Sequence, residues 1–126
     1  MRFMIVVKTA ETSEPPPMAL MDAIAKLGEE GAKAGVLVET GGLLPSPMGA
    51  RVRLSKGNLT VTDGPFTEAK EVIGGYAVYN VKSKEEAIAW TSRFMQLHKD
   101  HWPSWEGESE IRQIFDASDF GQAAGR

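Results

Sequence analysis

The chain is predicted to fold as an α+β protein, a ferredoxin-like βαββαβ core with a β-hairpin inserted before its third strand. Three observations carry that expectation: an opening strand that is apolar on both faces, a hairpin pattern in residues 51–62, and a capped helix beginning after Ser83.

Arg2 to Lys8 reads as a strand, with Phe3, Ile5 and Val7 on one side and Met4 and Val6 on the other. Apolar residues on both faces mark a central strand. Pro15, Pro16 and Pro17 close a polar loop, and from Met18 the residues Leu20, Ile24, Leu27 and Ala34 fall near helical spacing. Gly35 is the natural stop of that first helix. Gly28 and Gly31 lie within it, where each glycine weakens a helix by roughly 1 kcal/mol relative to alanine or marks close packing against a neighbour.

Gly35 to Leu44 is the second strand, kinked at Gly41 and Gly42 and ended by Pro45 and Pro47, which suit a sheet edge. From Arg51 to Thr62, Val52 and Leu54 and then Leu59 and Val61 alternate around Lys56, Gly57 and Asn58, giving the hairpin. Arg51, Arg53, Thr60 and Thr62 would share its polar face. Ile73 to Val81 is a strand apolar on both sides. Ser83 with Glu86 forms a capping box, and Ala87, Thr91, Phe94 and His98 mark one side of the helix that follows. Glu108 to Phe115 is the last strand. A single domain over residues 1–120 and a mobile tail at 121–126 are expected.

In this arrangement both helices cover one face of the antiparallel sheet, so the second apolar face of the central strands would lie bare in a monomer. A homodimer packed sheet against sheet is therefore expected.

Composition narrows the function classes. The 126 residues are 42% hydrophobic, enough for one ordinary core, and carry a formal charge of −3. With a pI near 5.4, the chain lacks the basic face that nucleic-acid phosphates or anionic membranes require. It has no cysteine, which excludes disulfides, thiolate metal sites and thiol chemistry. No apolar run approaches the ~20 residues of a membrane span, and the N-terminus lacks a secretory cleavage pattern. A cytoplasmic location is expected.

The segment DGPFTEAKEVIGGY, Asp63 to Tyr76, joins a turn, alternating charges and a glycine pair. It resembles the hallmark of the DGPF proteins, which are grouped with the YCII-related domain family. The opening MRFMIVVK, the helix exit AGVLVETGGLLPS, the hairpin ARVRLSKGNLTVTDGPF, the helix start VKSKEEAIAW and the closing EIRQIF extend the resemblance over residues 1–116. The resemblance implies a ferredoxin-like fold dimerising into an α/β barrel. It is similar to small-molecule enzymes of the dimeric α/β barrel class, and a histidine and aspartate pair has been suggested as the catalytic centre of YCII domains. That histidine lies in the first helix, and this chain has none before His98, so the pair is not carried over. Some DGPF domains occur beside sigma-70-type factors, which implies a possible sigma-factor partner in transcription initiation.

The side chains that carry chemistry cluster in the same segment. Asp63 either accepts hydrogen bonds from turn amides or acts as a base at the end of the hairpin, where Arg51 or Arg53 would pair with it. Glu68, Lys70 and Glu71 place two acids and an amine together, either as solvated charges or as acid and base groups retuned by burial. Phe66 is a core or cleft-wall residue. Gly74 and Gly75 point to a bulge or to close approach of a ligand. His98 and His101, three apart with Glu106 and Glu108 downstream, make a weak metal signal. Trp102 and Trp105 either cap a pocket or cover a barrel rim. Nucleotide, hydrolase and zincin motifs are absent from the sequence.

The expected protein is thus a cytoplasmic homodimer with a small-molecule cleft near Asp63 to Lys70, needing no cofactor and no metal. As an enzyme it would use Asp63 or Glu68 as base and Lys70 or Arg53 against negative charge, with Arg51 and Phe66 binding the ligand. The alternative is a non-catalytic interaction or ligand-sensing module linked to sigma-factor-dependent transcription.

Overall fold

The computed structural model describes residues 1–12, 14–66 and 69–116. The expected tail at 121–126 lies outside the described residues. Six strands and two α-helices follow one another as β1 (Arg2–Thr9), α1 (Met18–Lys33), β2 (Leu37–Gly42), β3 (Ala50–Ser55), β4 (Asn58–Asp63), β5 (Val72–Asn80), α2 (Lys84–His101) and β6 (Gly107–Gln113), with a short 3-10 turn at Ser46–Met48. Four strands form one antiparallel sheet in the order β2-β5-β1-β6, while β3 and β4 pair only with each other. That order places the doubly apolar strands β1 and β5 at the centre, the arrangement of a ferredoxin-like α+β fold.

Register assigns the two faces. Phe3 pairs with Tyr79 and Ile5 with Ala77, and Phe3, Ile5 and Tyr79 are buried with Val81 and Ala87 as the core beneath the helices. Tyr79 stacks on Trp90 of α2 with ring centroids 5.8 Å apart, the offset geometry that aromatic quadrupoles favour. The opposite face carries Met4 opposite Val78 and Val6 opposite Tyr76. Among the described residues no helix lies over it, and Met4 is 36% exposed. At its β6 side Glu110 accepts from Lys8 and Arg112.

Local chemistry explains the ends of the elements. Helix α1 starts directly after the prolines, with Leu20 and Met21 donating to the Pro17 carbonyl. It ends where Gly35 takes φ +74°, and Val36 N–H then bonds back to the Gly31 carbonyl at 3.0 Å, satisfying a carbonyl the helix leaves free. Gly31 is a packing glycine: a Cβ there would lie 3.1 Å from Leu37 Cβ, so its absence lets α1 press on β2. The capping box of α2 is modified. Ser83 Oγ accepts from Glu86 N–H at 3.1 Å, but Glu86 reaches back to Lys82 N–H rather than to that of Ser83.

β1, at Arg2–Thr9, and the hairpin arm, at 50–63, run slightly longer than expected, and two strands are shorter. β2 runs over Leu37–Gly42 rather than Gly35 to Leu44, because Gly35 and Val36 close the helix, and its pairing with β5 is interrupted between Leu37 and Glu39. β6 begins at Gly107 and ends at Gln113, short of Phe115. Gly74 is the extra residue of a β-bulge, since Val7 pairs with Gly75 and Lys8 with Ile73. The β3–β4 turn places Lys56 at φ 50° and Gly57 at φ 81°, both left-handed as a two-residue hairpin turn demands. The paired arm leaves Val52, Leu54, Leu59 and Val61 between 68% and 71% exposed. No helix among the described residues is long and apolar enough to cross a membrane.

Candidate functional site

Beyond the strand ends, three loop segments meet at Ser46. The β1–α1 loop contributes Glu11, whose carboxylate accepts the Ser46 backbone N–H through Oε1 and the Ser46 hydroxyl through Oε2, the latter at 2.6 Å. Ser46 opens the 3-10 turn between two prolines and is buried. From the far end of the hairpin, Phe66 N–H donates to Ser46 Oγ at 3.0 Å, and Gly64 N–H donates to the Gly49 carbonyl at 2.9 Å. The DGPF turn is thereby fastened to the turn at 46–48, and the two bonds from Ser46 hold the Glu11 carboxyl below the usual glutamate range, the hydroxyl contributing most.

Close approach makes Gly64 obligatory. A Cβ at that position would fall 1.7 Å from the Ser46 carbonyl oxygen and 2.5 Å from its carbon, distances that only displacement of backbone could relieve.

This fastening forms one wall of a cleft of about 800 Å³. Arg51 and Phe66 line it together, the guanidinium 3.9 Å from the ring centroid in a cation–π contact. Trp102 and Trp105 line it from the end of α2. Trp105 is seated by a stack in which its ring lies 4.3 Å from His98, itself 4.6 Å from Phe94. Gly107 makes room for it, because a Cβ there would meet Trp105 Cη2 and Cζ2 at 2.3 Å. Trp102 is buried, and its indole Nε1 has no hydrogen-bond partner among the described residues. An orphan buried donor is uncommon in a folded protein and calls for an acceptor.

The residues singled out in the sequence part company here. Arg51 and Phe66 line the cleft, as does Glu71. Asp63 closes β4 opposite Ala50, exposed, and among the described residues its side chain pairs with neither Arg51 nor Arg53. Arg53 lies on the exposed arm opposite Thr60, and Lys70 is exposed beyond the cleft lining. Glu68 lies outside the described residues. His98 is buried with its Nδ1 3.0 Å from the Phe94 carbonyl, whereas His101 is exposed at the helix end. Among the described residues no group of three or more histidine, aspartate or glutamate side chains is placed to hold a metal. Sequence reasoning missed Glu11 and Ser46. The only signal was indirect: a serine between Pro45 and Pro47, and a glycine at 64 that needs a partner surface.

Fold and cleft together define a ferredoxin-like α+β protein with a pocket built on the loops beyond one end of its sheet. The model of the YCII-related domain family matches residues 1–118, and the chain belongs to that family. It is also similar to an uncharacterised protein of Rhizobium meliloti (strain 1021), 30% identical over 80 residues. The match spans 64% of this chain and 64% of the length of that relative.

Proposed function

We propose that this YCII-related protein, of the DGPF type by its Asp63 to Tyr76 segment, is a homodimeric small-molecule-binding protein whose ligand lies between the Ser46–Phe66 fastening and Trp102. The observation that carries the reading is the cleft lined by Arg51, Phe66 and Trp102, where the Trp102 Nε1 is buried and, among the described residues, has no hydrogen-bond partner. A ligand acceptor that reached Trp102 and Arg51 would be met by one neutral and one charged donor. The volume and the aromatic walls are those of small-molecule pockets, which span roughly 300–1,000 Å³.

Binding is favoured over acid–base catalysis by the state of Glu11. Its carboxylate is held ionised and engaged by Ser46, which makes it a weak base. The uncovered sheet face with Met4, Val6 and Val78 supports the dimer, since that apolar surface is otherwise left to water.

A thermal-shift screen of metabolites against the wild type, Arg51→Ala and Trp102→Phe tests the reading. A ligand that stabilises the wild type and loses at least half its shift in both variants is expected. Absence of any stabiliser, or shifts that both variants retain in full, would overturn it.

A further inference from the structure

Under helix α1 lies a second cavity, of about 370 Å³. Its chemistry differs from that of the cleft. Ile5 and Val7 of the sheet face Met21, Ile24 and Leu27 of α1 across it, with Phe94 of α2 at one end. Four hydroxyl-bearing residues stand in its lining, and three have engaged hydroxyls: Thr40 Oγ1 donates to the Tyr76 carbonyl at 3.0 Å, Thr91 Oγ1 to the Ala87 carbonyl at 2.8 Å and Tyr76 OH to Glu39, while the Tyr79 ring stacks on Trp90. A guest there would gain desolvation and dispersion, with little hydrogen bonding.

Of the four glycines in its lining, Gly41 and Gly75 are closely approached, a Cβ there lying 3.0 Å from the Tyr76 ring and 3.1 Å from the Gly41 carbonyl oxygen, but the other two are not. Gly28 and Gly42 both line it. A methyl at Gly28 would make ordinary contact with Leu37 Cδ2 at 3.8 Å, and one at Gly42 would meet nothing within 4 Å. Alanine at Gly28 would also favour the helix. Small residues therefore stand where larger ones fit, and they leave open a cavity more than twice the ~150 Å³ apolar void that takes up benzene. Pro16 and Gly42 belong to the walls of both cavities, so the apolar space adjoins the cleft.

We propose that the cavity under α1 receives the apolar part, an aromatic ring system or short alkyl chain, of an amphiphilic ligand whose polar part lies in the cleft. The assignment of the polar part rests on the cleft reading above; the cavity itself does not. Of the charged side chains in the cleft lining, Glu11, Glu14, Arg51 and Glu71, Arg51 is the cation, so a carboxylate at the polar end would have to lie against Arg51 and Trp102.

The test is fluorescence titration of the full chain with 1-aminoanthracene, a neutral apolar probe, followed by displacement with decanoate. Gly28→Leu fills the cavity from the helix side. Met21→Trp narrows it from a position 47% exposed, where a larger side chain leaves the core packing alone. Probe binding is expected in the wild type and should weaken at least tenfold in both variants, with thermal melting confirming that they fold. Decanoate should displace the probe, and Trp102→Phe should weaken decanoate at least threefold while leaving the probe unchanged. No probe binding, or equal binding in wild type and both variants, would overturn the cavity site. Probe behaviour as expected, with decanoate unable to displace it, would overturn the amphiphile. Displacement indifferent to Trp102→Phe would overturn the cleft as the place of the polar end and leave the cavity site standing.

Discussion

Ser46 and Glu11, 35 positions apart, are joined twice, the hydroxyl donating to Oε2 at 2.6 Å and the backbone N–H to Oε1. The same hydroxyl accepts from Phe66 N–H, so one buried serine holds three loops in register. Replacing it by alanine breaks the hydroxyl bond to Glu11 and leaves the Phe66 amide without its acceptor. Ser46→Ala should cost about 1–3 kcal/mol, read by urea unfolding; a loss below about 0.5 kcal/mol would show that the loops do not depend on it.

Stability should fall in two steps on the acid side. Burial lowers the His98 pKa, with the Phe94 carbonyl opposing more weakly, so the folded ring stays neutral where the unfolded one takes up a proton. That contribution is complete above the ordinary histidine value and is lost as the pH drops below it, through the lowered folded value. Glu11, lowered by its bonds to Ser46, adds a contribution complete above the ordinary glutamate value and lost below it. Urea midpoints between pH 3 and 8 should show both steps, His98→Gln removing the upper and Glu11→Gln reducing the lower, to which Glu110, lowered by Lys8, and Glu30, lowered by Arg93, also contribute. An unchanged profile in either variant contradicts its assignment.

Two glycines should respond oppositely to alanine. At Gly64 the new methyl meets the Ser46 backbone at 1.7 Å, and overpacking of that kind costs about 1–3 kcal/mol or more. At Gly42 it meets nothing, and stability should stay within about 0.5 kcal/mol of wild type. Equal unfolding midpoints for Gly64→Ala and wild type would refute the close approach.

Gly107→Ala should push Trp105 out of its stack on His98, since the methyl would lie 2.3 Å from the indole ring. Tryptophan emission should shift to the red as Trp105 gains water. No shift would mean that the ring has another place to go within the stack.

Met4→Lys, on the uncovered sheet face, should convert the proposed dimer to monomer in sedimentation velocity at micromolar concentration while leaving circular dichroism unchanged. A monomeric wild type, or a dimeric variant, would exclude pairing through this face.

How much of this was readable beforehand depends on how local the cause was. The Ser83 cap, the Gly35 stop and the Lys56–Gly57 turn each arise within a few residues and appear in the sequence as such. Strand β1 announced its central place because both of its faces are apolar. Glu11 and Ser46 were invisible for the opposite reason: each lies in an aperiodic, proline-bounded loop, and the bond between them exists only once β5 has paired with both β1 and β2. Asp63 drew the eye through its turn, yet the bonds that hold the turn come from the backbone of Gly64 and Phe66, and the aspartate is exposed. Trp102 and Trp105 stood out as a pair, but which side of them is cleft follows only from the packing of α2.

The central position of β1 also bears on the order in which the protein is made. β1 is synthesised before the strands it pairs with, and both of those come late: β5 at residues 72–80, and β6, whose Ile111 and Gln113 pair with Ile5 and Phe3, at residues 107–113. Until they emerge, an apolar strand waits on the ribosome with both edges unpaired, a state open to wrong partners. Contacts this distant in sequence also slow folding itself. A nascent chain halted before β6 should therefore be captured by chaperones that bind extended apolar segments, and released only when the last strand closes over the first.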